Sequence, residues 1–161
     1  MTNLSKAAVL TAIAAFAASP ALAIEVSKSV EIAASPETVW TTIGSFCDIQ
    51  KWHPAATKCE LKDDDGASVR TLTLPDGAEL VEEEVSRDDG KMSYSYKILS
   101  GPLPVANYQS TISVSGSGDA ATVDWSGTFD AAGASDEEAS NVIAGIYDAG
   151  LSSLKEKAGG M

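Results

Sequence analysis

The sequence predicts an α+β fold in which an antiparallel sheet covers one long C-terminal helix. Turn-forming residues recur through the middle of the chain, from Asp63–Gly66 to Ala132–Gly133. They separate segments of roughly 8 to 12 residues, the spacing of strands in an antiparallel meander. The last segment instead has apolar residues at helical spacing. A helix with one apolar stripe needs a surface to cover, and we expect that surface to be the concave face of the sheet.

One strand and two short helices are predicted first. Ile24 to Ile32 alternates apolar and polar residues, which is typical of a strand. Ser35 is then a suitable helix N-cap, Pro36 occupies the first helical position, and Gly44 suits the end of this helix. The segment from Phe46 to Trp52 predicts a second short helix.

Six further strands and the long helix follow. The clearest strand is Met92 to Ile98, where Tyr94 and Tyr96 alternate with Ser and Lys, so one face should be buried. Ser135 and Glu138 have the spacing of a capping box at the start of the last helix. The predicted order is therefore one strand, two short helices, six strands and one long helix.

The first 23 residues have the three parts of a secretory signal peptide. Lys6 gives a short positive region, Ala7 to Ala18 is apolar, and Ala21-Leu22-Ala23 is a small-residue cleavage site. The apolar part is shorter than the ~20 residues that a membrane span needs. We expect cleavage after Ala23, leaving residues 24–161 as one domain. In a Gram-negative host the protein would be periplasmic.

The two cysteines, Cys47 and Cys59, would meet an oxidising compartment after export. A disulfide between them is the leading prediction. Because the sequence gives no Cα separation, two buried free thiols remain the alternative.

Composition excludes several classes of function. Eleven Lys and Arg face 23 Asp and Glu, a net charge of −12, which argues against nucleic acid and anionic lipid as partners. Beyond the signal peptide no segment is apolar enough for stable membrane association. Two cysteines and one histidine cannot form a common zinc site, and the acidic runs lack EF-hand spacing, so no metal and no cofactor is expected. The single histidine, His53, is interpreted as a structural hydrogen-bonding residue.

Three segments resemble one known superfamily. They are Ala34 to Pro54 (ASPETVWTTIGSFCDIQKWHP), Val69 to Glu84 (VRTLTLPDGAELVEEE) and Ser100 to Val114 (SGPLPVANYQSTISV). They are similar to the START/Bet v 1-like (SRPBCC) superfamily, which includes the polyketide cyclase/dehydrase and lipid-transport group. The resemblance implies a helix-grip fold, in which a curved seven-stranded sheet wraps the C-terminal helix around a cavity. The chain is also similar to exported accessory proteins of methanol oxidation (the MxaD-like subgroup).

Strand alternation suggests which residues face this cavity. Leucines share a face with Arg70, so Arg70 and Leu72 are predicted to point inward. Val81 and Val85 share a face with Glu83, so Glu83 is also predicted inward, as the partner of Arg70 across a hairpin. The pair is either a structural ion pair or a polar anchor that holds the carbonyl or carboxylate of a ligand.

The remaining predicted ligand-binding residues are aromatic or apolar and would form the cavity walls. They are Tyr94, Tyr96, Tyr108 and Trp125 on the strands, with Ile143 and Tyr147 on the helix.

Three functions remain open on these grounds. The leading hypothesis is a periplasmic carrier of a small hydrophobic molecule. The second is an accessory protein that binds an exported oxidoreductase system. The third is a cyclase-like or dehydratase-like enzyme with Arg70 as electrophile and Glu83 or a tyrosine as acid/base. The carrier is favoured because no catalytic constellation is visible in the sequence.

Overall fold

The computed structural model describes residues 23–160, and the predicted signal peptide lies outside the described residues apart from Ala23. In this part of the chain, no helix is long and apolar enough to cross a membrane. The predicted order of elements is confirmed. It runs β1 (Ile24–Ile32), α1 (Pro36–Ile43), a 3-10 helix (Phe46–Asp48), α2 (Ile49–Trp52), β2 (Lys58–Asp64), β3 (Ala67–Thr73), β4 (Glu79–Asp88), β5 (Ser93–Ser100), β6 (Val105–Ser117), β7 (Ala120–Ala131) and α3 (Asp136–Gly159).

The seven strands form one antiparallel sheet in the order β1-β7-β6-β5-β4-β3-β2. Strands β2 to β7 follow one another as hairpins, and β1 pairs with the last of them. The helix α3 packs against β1 and β7, and α1 and α2 pack against α3. The apolar core therefore lies between one face of the sheet and these helices, as the helix-grip resemblance implies.

The helix ends are fixed by the caps that the sequence predicts. Ser35 Oγ accepts a hydrogen bond of 3.2 Å from the Thr38 backbone, and Gly44 ends α1 with a φ of 66°. At the start of α3, Ser135 Oγ accepts from the Glu138 backbone, and Glu138 Oε2 accepts from the Ser135 backbone. This capping box satisfies two backbone donors that an uncapped helix leaves unpaired.

Close contact between α3 and the rest of the core depends on Gly150. A Cβ added there would lie 2.5 Å from His53 Cδ2 and 2.8 Å from Trp125 Cζ3. Any larger residue would push α3 away from β7. Gly127 on β7 has the corresponding role, since an added Cβ there would collide with the Tyr147 hydroxyl.

The predicted disulfide between Cys47 and Cys59 is present, with the Cα atoms 5.6 Å apart. It joins the 3-10 helix to the edge strand β2. A second link runs beside it, because the Cys59 backbone donates to Gln50 Oε1 at 2.9 Å. The 3-10 helix is therefore fixed to β2 covalently, and α2 is fixed to the same strand by a hydrogen bond.

Removing the disulfide should lower the free energy of unfolding. For Cys47→Ala combined with Cys59→Ala, the chain-entropy relation for a loop of this length gives a loss of about 3 kcal/mol. Urea unfolding at pH 7 measures it. Wild-type protein with a reducing agent should fall to the midpoint of the double variant, and the agent should leave the variant unchanged. An equal midpoint for oxidised wild type and variant would contradict the prediction.

Candidate functional site

A cavity of about 340 Å³ lies between the inner face of the sheet and the helices. Its wall is mostly apolar, and it includes five of the predicted ligand-binding residues: Leu72, Tyr96, Tyr108, Trp125 and Ile143. The other residues of the wall come from α2 and the segment after it, the ends of β3 to β5, the β5–β6 loop and α3. They are Ile49, His53, Ala55, Ala56, Leu74, Pro75, Asp76, Leu80, Glu82, Ile98, Leu103 and Ile146.

One end of the cavity is formed by two connections of the sheet. Leu74, Pro75 and Asp76 come from the β3–β4 turn, and Leu103 comes from the β5–β6 loop. Pro75 and Asp76 are exposed, so this end of the cavity lies at the surface of the protein. From there, β3 and β4 run inward past the Leu72–Leu80 pair to the Arg70–Glu82 pair.

Arg70 and Glu82 form a buried ion pair at the inner end of these strands. Arg70 Nε donates to Glu82 Oε2 at 2.7 Å, and Arg70 Nη1 donates to the backbone carbonyl of Phe46. The guanidinium also lies over the Phe46 ring, 3.8 Å from its centroid. Arg70 is 0% exposed and Glu82 is 4% exposed, so each charge depends on the other for compensation.

Burial changes the acidity of both groups. It raises the pKa of Glu82, and the Arg70 charge offsets this only in part. Burial alone would lower the pKa of Arg70, but Glu82, Tyr94 and Tyr96 raise it on balance, so the guanidinium stays charged. The wall of the cavity therefore includes a carboxyl that binds a proton more readily than an exposed Glu does.

The prediction that Glu83 points inward and pairs with Arg70 is wrong. Arg70 is directly opposite Glu82 in the β3–β4 pairing, and Glu83 lies on the other face, 3.0 Å from Lys97 Nζ. The valines that suggested the inner face lie on the outer one, where Val85 is 45% exposed. Valine is common in β-strands on exposed faces as well as buried ones, so the two valines did not identify the buried face of β4. A catalytic role for Glu83 in the cavity is excluded by this position.

Five hydroxyl and indole groups form a hydrogen-bonded network beside the cavity. Trp125 Nε1 donates to both Tyr96 Oη, at 3.1 Å, and Ser110 Oγ, at 3.0 Å. Ser110 Oγ donates to the Ser126 carbonyl at 2.8 Å and also lies 3.0 Å from the Tyr147 hydroxyl. The hydroxyls of Tyr108 and Tyr147 are 2.5 Å apart. Burial raises the pKa of Tyr96 and Tyr108 well above the usual value, so both are neutral phenols.

Three predicted site residues support the cavity wall from behind. Tyr147 stacks on Trp125 with ring centroids 4.6 Å apart. Tyr94 packs edge-on against Phe46, whose ring also carries Arg70. Tyr94, Tyr147 and Arg70 are all buried, but they do not belong to the lining of the cavity.

His53 is a structural residue, as interpreted from the sequence. Its Nδ1 accepts from the Ala55 backbone at 3.1 Å, so Nε2 carries the hydrogen and donates to the Ile146 carbonyl at 3.0 Å. Burial and the nearby Arg70 charge lower its pKa to about 4, although the bond to Ile146 opposes this. The ring is neutral at pH 7 and joins the end of α2 to α3.

The sequence analysis missed one member of the ion pair and one member of the hydroxyl network. Placing Glu83 on the inner face put its neighbour Glu82 on the outer one, and Ser110 was not considered. Ser110 alternates with Tyr108 and Ile112, so its inner position was available from the period-two pattern. Within the described residues, no group of three or more His, Cys, Asp or Glu is arranged to hold a metal ion.

Stability should fall as the pH is lowered through the range set by His53. The unfolded chain binds this proton with a pKa of 6.5 and the folded protein with a pKa of about 4. Between these values only the unfolded state is protonated, so the free energy of unfolding decreases by about 3 kcal/mol from pH 6.5 to pH 4. Glu82, with a raised pKa, acts in the opposite direction. The comparison of wild type with His53→Gln in urea unfolding at several pH values isolates the effect, and parallel curves would contradict it.

Breaking the buried Arg70–Glu82 ion pair should lower the free energy of unfolding far more than breaking the partly exposed pair between Glu83 and Lys97. Arg70→Met leaves Glu82 buried without a partner and should lose about 3–5 kcal/mol of stability. Arg70→Met with Glu82→Leu should recover most of this loss. The matched control is Glu83→Gln, which breaks only the partly exposed pair with Lys97 and should cost less than about 1 kcal/mol. Thermal and urea unfolding give these values, and equal losses for Arg70→Met and Glu83→Gln would contradict the assignment.

Comparison with solved structures finds close relatives in fold. The protein XoxI from Bacillus cereus is 40% identical, with 83% of this chain and 94% of that chain covered and a TM-score of 0.78. A putative uncharacterized protein from Bacillus thuringiensis is 38% identical, with 83% and 98% covered and a TM-score of 0.78. The similarity to XoxI is consistent with the subgroup that the sequence resembles. The Zhui aromatase/cyclase from Streptomyces sp. R1128, at 16% identity, 85% and 94% coverage and a TM-score of 0.69, shares the fold alone.

Comparison at the level of sequence families gives one assignment. No curated protein sequence matches the chain. The family described as polyketide cyclase / dehydrase and lipid transport matches residues 23–159, almost the whole described part. With this match and the helix-grip architecture, the chain belongs to the polyketide cyclase / dehydrase and lipid transport family.

Proposed function

We propose that the protein binds a small, mainly apolar molecule in the cavity between the sheet and α3, and carries it in the periplasm. The observation that carries the proposal is the cavity itself, about 340 Å³ with a mostly apolar wall. Ligand sites in proteins commonly have this size range and this kind of lining, with few polar groups. Family membership supports a ligand-binding role in the same place.

The side chains around the cavity suit binding more than chemistry. Both nitrogens of His53 are used in structural hydrogen bonds, and the tyrosines are neutral phenols. Among the described residues that line the cavity, no nucleophile has an adjacent free base, which covalent catalysis would need. The polar groups that remain can orient a ligand by hydrogen bonds.

The exported location rests on two separate features of the chain. The first 23 residues have the parts of a signal peptide. The disulfide between Cys47 and Cys59 suits an oxidising compartment. Together they support a periplasmic rather than a cytosolic carrier.

An accessory role on an exported oxidoreductase system is the second candidate. It is favoured by the similarity to XoxI and by exposed acidic runs, Asp63–Asp65 and Asp136–Glu138. Such charges would steer a basic partner, and the complex would weaken as salt is added. Titration of an exported oxidoreductase of the same host at low and high ionic strength tests it. No complex at low salt would remove this candidate.

The carrier proposal predicts that blocking the cavity abolishes ligand binding. Leu103→Trp puts a large ring at the outer end of the cavity, and Leu99→Trp puts the same ring at an exposed position outside its lining. Native mass spectrometry of the protein exported by a periplasm-competent host should show extra mass that denaturation releases. The extra mass should be lost in Leu103→Trp and kept in Leu99→Trp.

The same spectra contain the outcomes that would contradict the proposal. A wild-type protein without extra mass, which also fails to take up small apolar compounds in solution, would overturn the carrier function. A mass that still includes residues 1–23 would contradict the periplasmic location.

A further inference from the structure

The polar groups of the cavity wall differ in how much hydrogen-bonding capacity they have left. His53 uses both ring nitrogens, and Trp125 Nε1 already donates to two oxygens. Asp76 is an exposed turn residue whose Oδ1 accepts from the Ala78 backbone. The groups that remain for a ligand are Glu82 and the hydroxyls of Tyr96 and Tyr108.

The hydrogen bonds of the network have only one consistent direction. The Ser126 carbonyl can only accept, so it takes the hydrogen of Ser110 Oγ. The Tyr147 hydroxyl must therefore donate to Ser110 Oγ, and the Tyr108 hydroxyl must donate to Tyr147 Oη. The only hydroxyl hydrogen of Tyr108 is therefore used in the bond to Tyr147, and it is not available to a ligand.

Tyr96 makes the longest hydrogen bond of this network. Its oxygen accepts from Trp125 Nε1, and because the hydrogen of Tyr108 is already used, Tyr96 must donate to Tyr108 Oη, at 3.4 Å. A hydrogen bond of this length is weak, so a ligand atom in the cavity can replace Tyr108 as the acceptor of the Tyr96 hydrogen.

Glu82 offers the complementary group. Its Oε2 accepts from Arg70, whereas Oε1 makes no hydrogen bond within residues 23–160. Arg70 is covered by the Phe46 ring and bonded to the Phe46 carbonyl, and it does not line the cavity. A ligand therefore meets the carboxylate and not the guanidinium.

We propose that the cavity selects a neutral ligand that ends in a hydroxyl group, an alcohol or a phenol, and rejects carboxylates. The ligand hydroxyl donates to Glu82 Oε1 and accepts from the Tyr96 hydroxyl. This inference rests on the proposed binding function and gives the chemical class of its ligand. It also differs from one of the two alternatives given by the sequence, in which the pair of Arg70 with a glutamate would hold a carbonyl or carboxylate.

The two groups together explain the selectivity. An ether or a carbonyl can accept from Tyr96, but it leaves Glu82 Oε1 without a donor, and such an unpaired buried group is costly. A carboxylate would place a second negative charge beside Glu82 in an apolar site. A hydroxyl satisfies both groups at once, because it donates and accepts through one oxygen.

Isothermal titration calorimetry at pH 7 with three probes of one ring system tests the proposal. The probes are 2-naphthol, 2-methoxynaphthalene, which accepts but cannot donate, and 2-naphthoate, which is an anion. We expect 2-naphthol to bind at least about tenfold more tightly than 2-methoxynaphthalene, and 2-naphthoate to bind most weakly of the three.

Three variants assign the effect to individual residues. In Glu82→Gln the carboxylate is replaced by a neutral amide beside the Arg70 charge, so the preference for 2-naphthol over 2-naphthoate should shrink or reverse. Tyr96→Phe should weaken 2-naphthol and 2-methoxynaphthalene by similar factors. The matched control is Glu83→Gln, one residue along the same strand but facing Lys97, which should keep the wild-type order.

The wild-type measurements decide the outcome even if a variant fails to fold. Binding of 2-naphthoate as tight as that of 2-naphthol would overturn the ligand class and leave the binding function standing. Binding of 2-methoxynaphthalene as tight as that of 2-naphthol would overturn the role of Glu82 as acceptor. If none of the three probes binds, and Leu103→Trp and wild type behave alike, the proposed function itself fails.

Discussion

The burial of the Arg70 charge is the constraint on which the inner end of the cavity depends. A guanidinium that is 0% exposed needs an opposite charge and acceptors for its hydrogens. Glu82 supplies the charge, and the backbone carbonyl of Phe46 supplies an acceptor. Phe46 belongs to the 3-10 helix, whose next residue, Cys47, is bonded to β2. The ion pair, the covalent link and the edge of the sheet thus form one connected unit.

The rest of the cavity follows from how α3 lies on the sheet. Gly150 lets the helix approach His53 and Trp125, and Gly127 leaves room on β7 for the Tyr147 hydroxyl. Tyr147 can then stack on Trp125 and join the hydroxyl network. The network satisfies its members internally, which is the condition under which buried polar groups stabilise a core. The mostly apolar cavity lies next to this network, and Tyr96, Tyr108 and Trp125 belong to both.

Much of the fold could be predicted from the sequence because its signals are local: caps, turn residues and period-two alternation. The face of Glu82 could not be read from β4 itself, since Val81 and Val85 suggested the wrong side. The length of the β3–β4 turn determines the pairing instead. Three residues, Pro75 to Gly77, separate Leu74 from Ala78, so each even-numbered residue of β3 is opposite an even-numbered residue of β4. Arg70 must then be opposite Glu82. The hydroxyl network and the cavity volume depend on contacts between distant strands and α3, which no local pattern reports.

A shared fold does not determine what such a cavity binds, since the Streptomyces aromatase/cyclase has the same architecture at 16% identity. The chemistry must come from the few polar groups at the wall. In this chain Arg70 makes it possible to bury Glu82 but is itself hidden beneath Phe46, so the positive charge supports the site without facing the ligand. Tyr96, whose oxygen accepts from Trp125, adds a donor to the wall of the same cavity. Reading the site as positive or negative therefore depends on which member of the buried ion pair reaches the cavity, and the ligand inferred for the cavity changes with it.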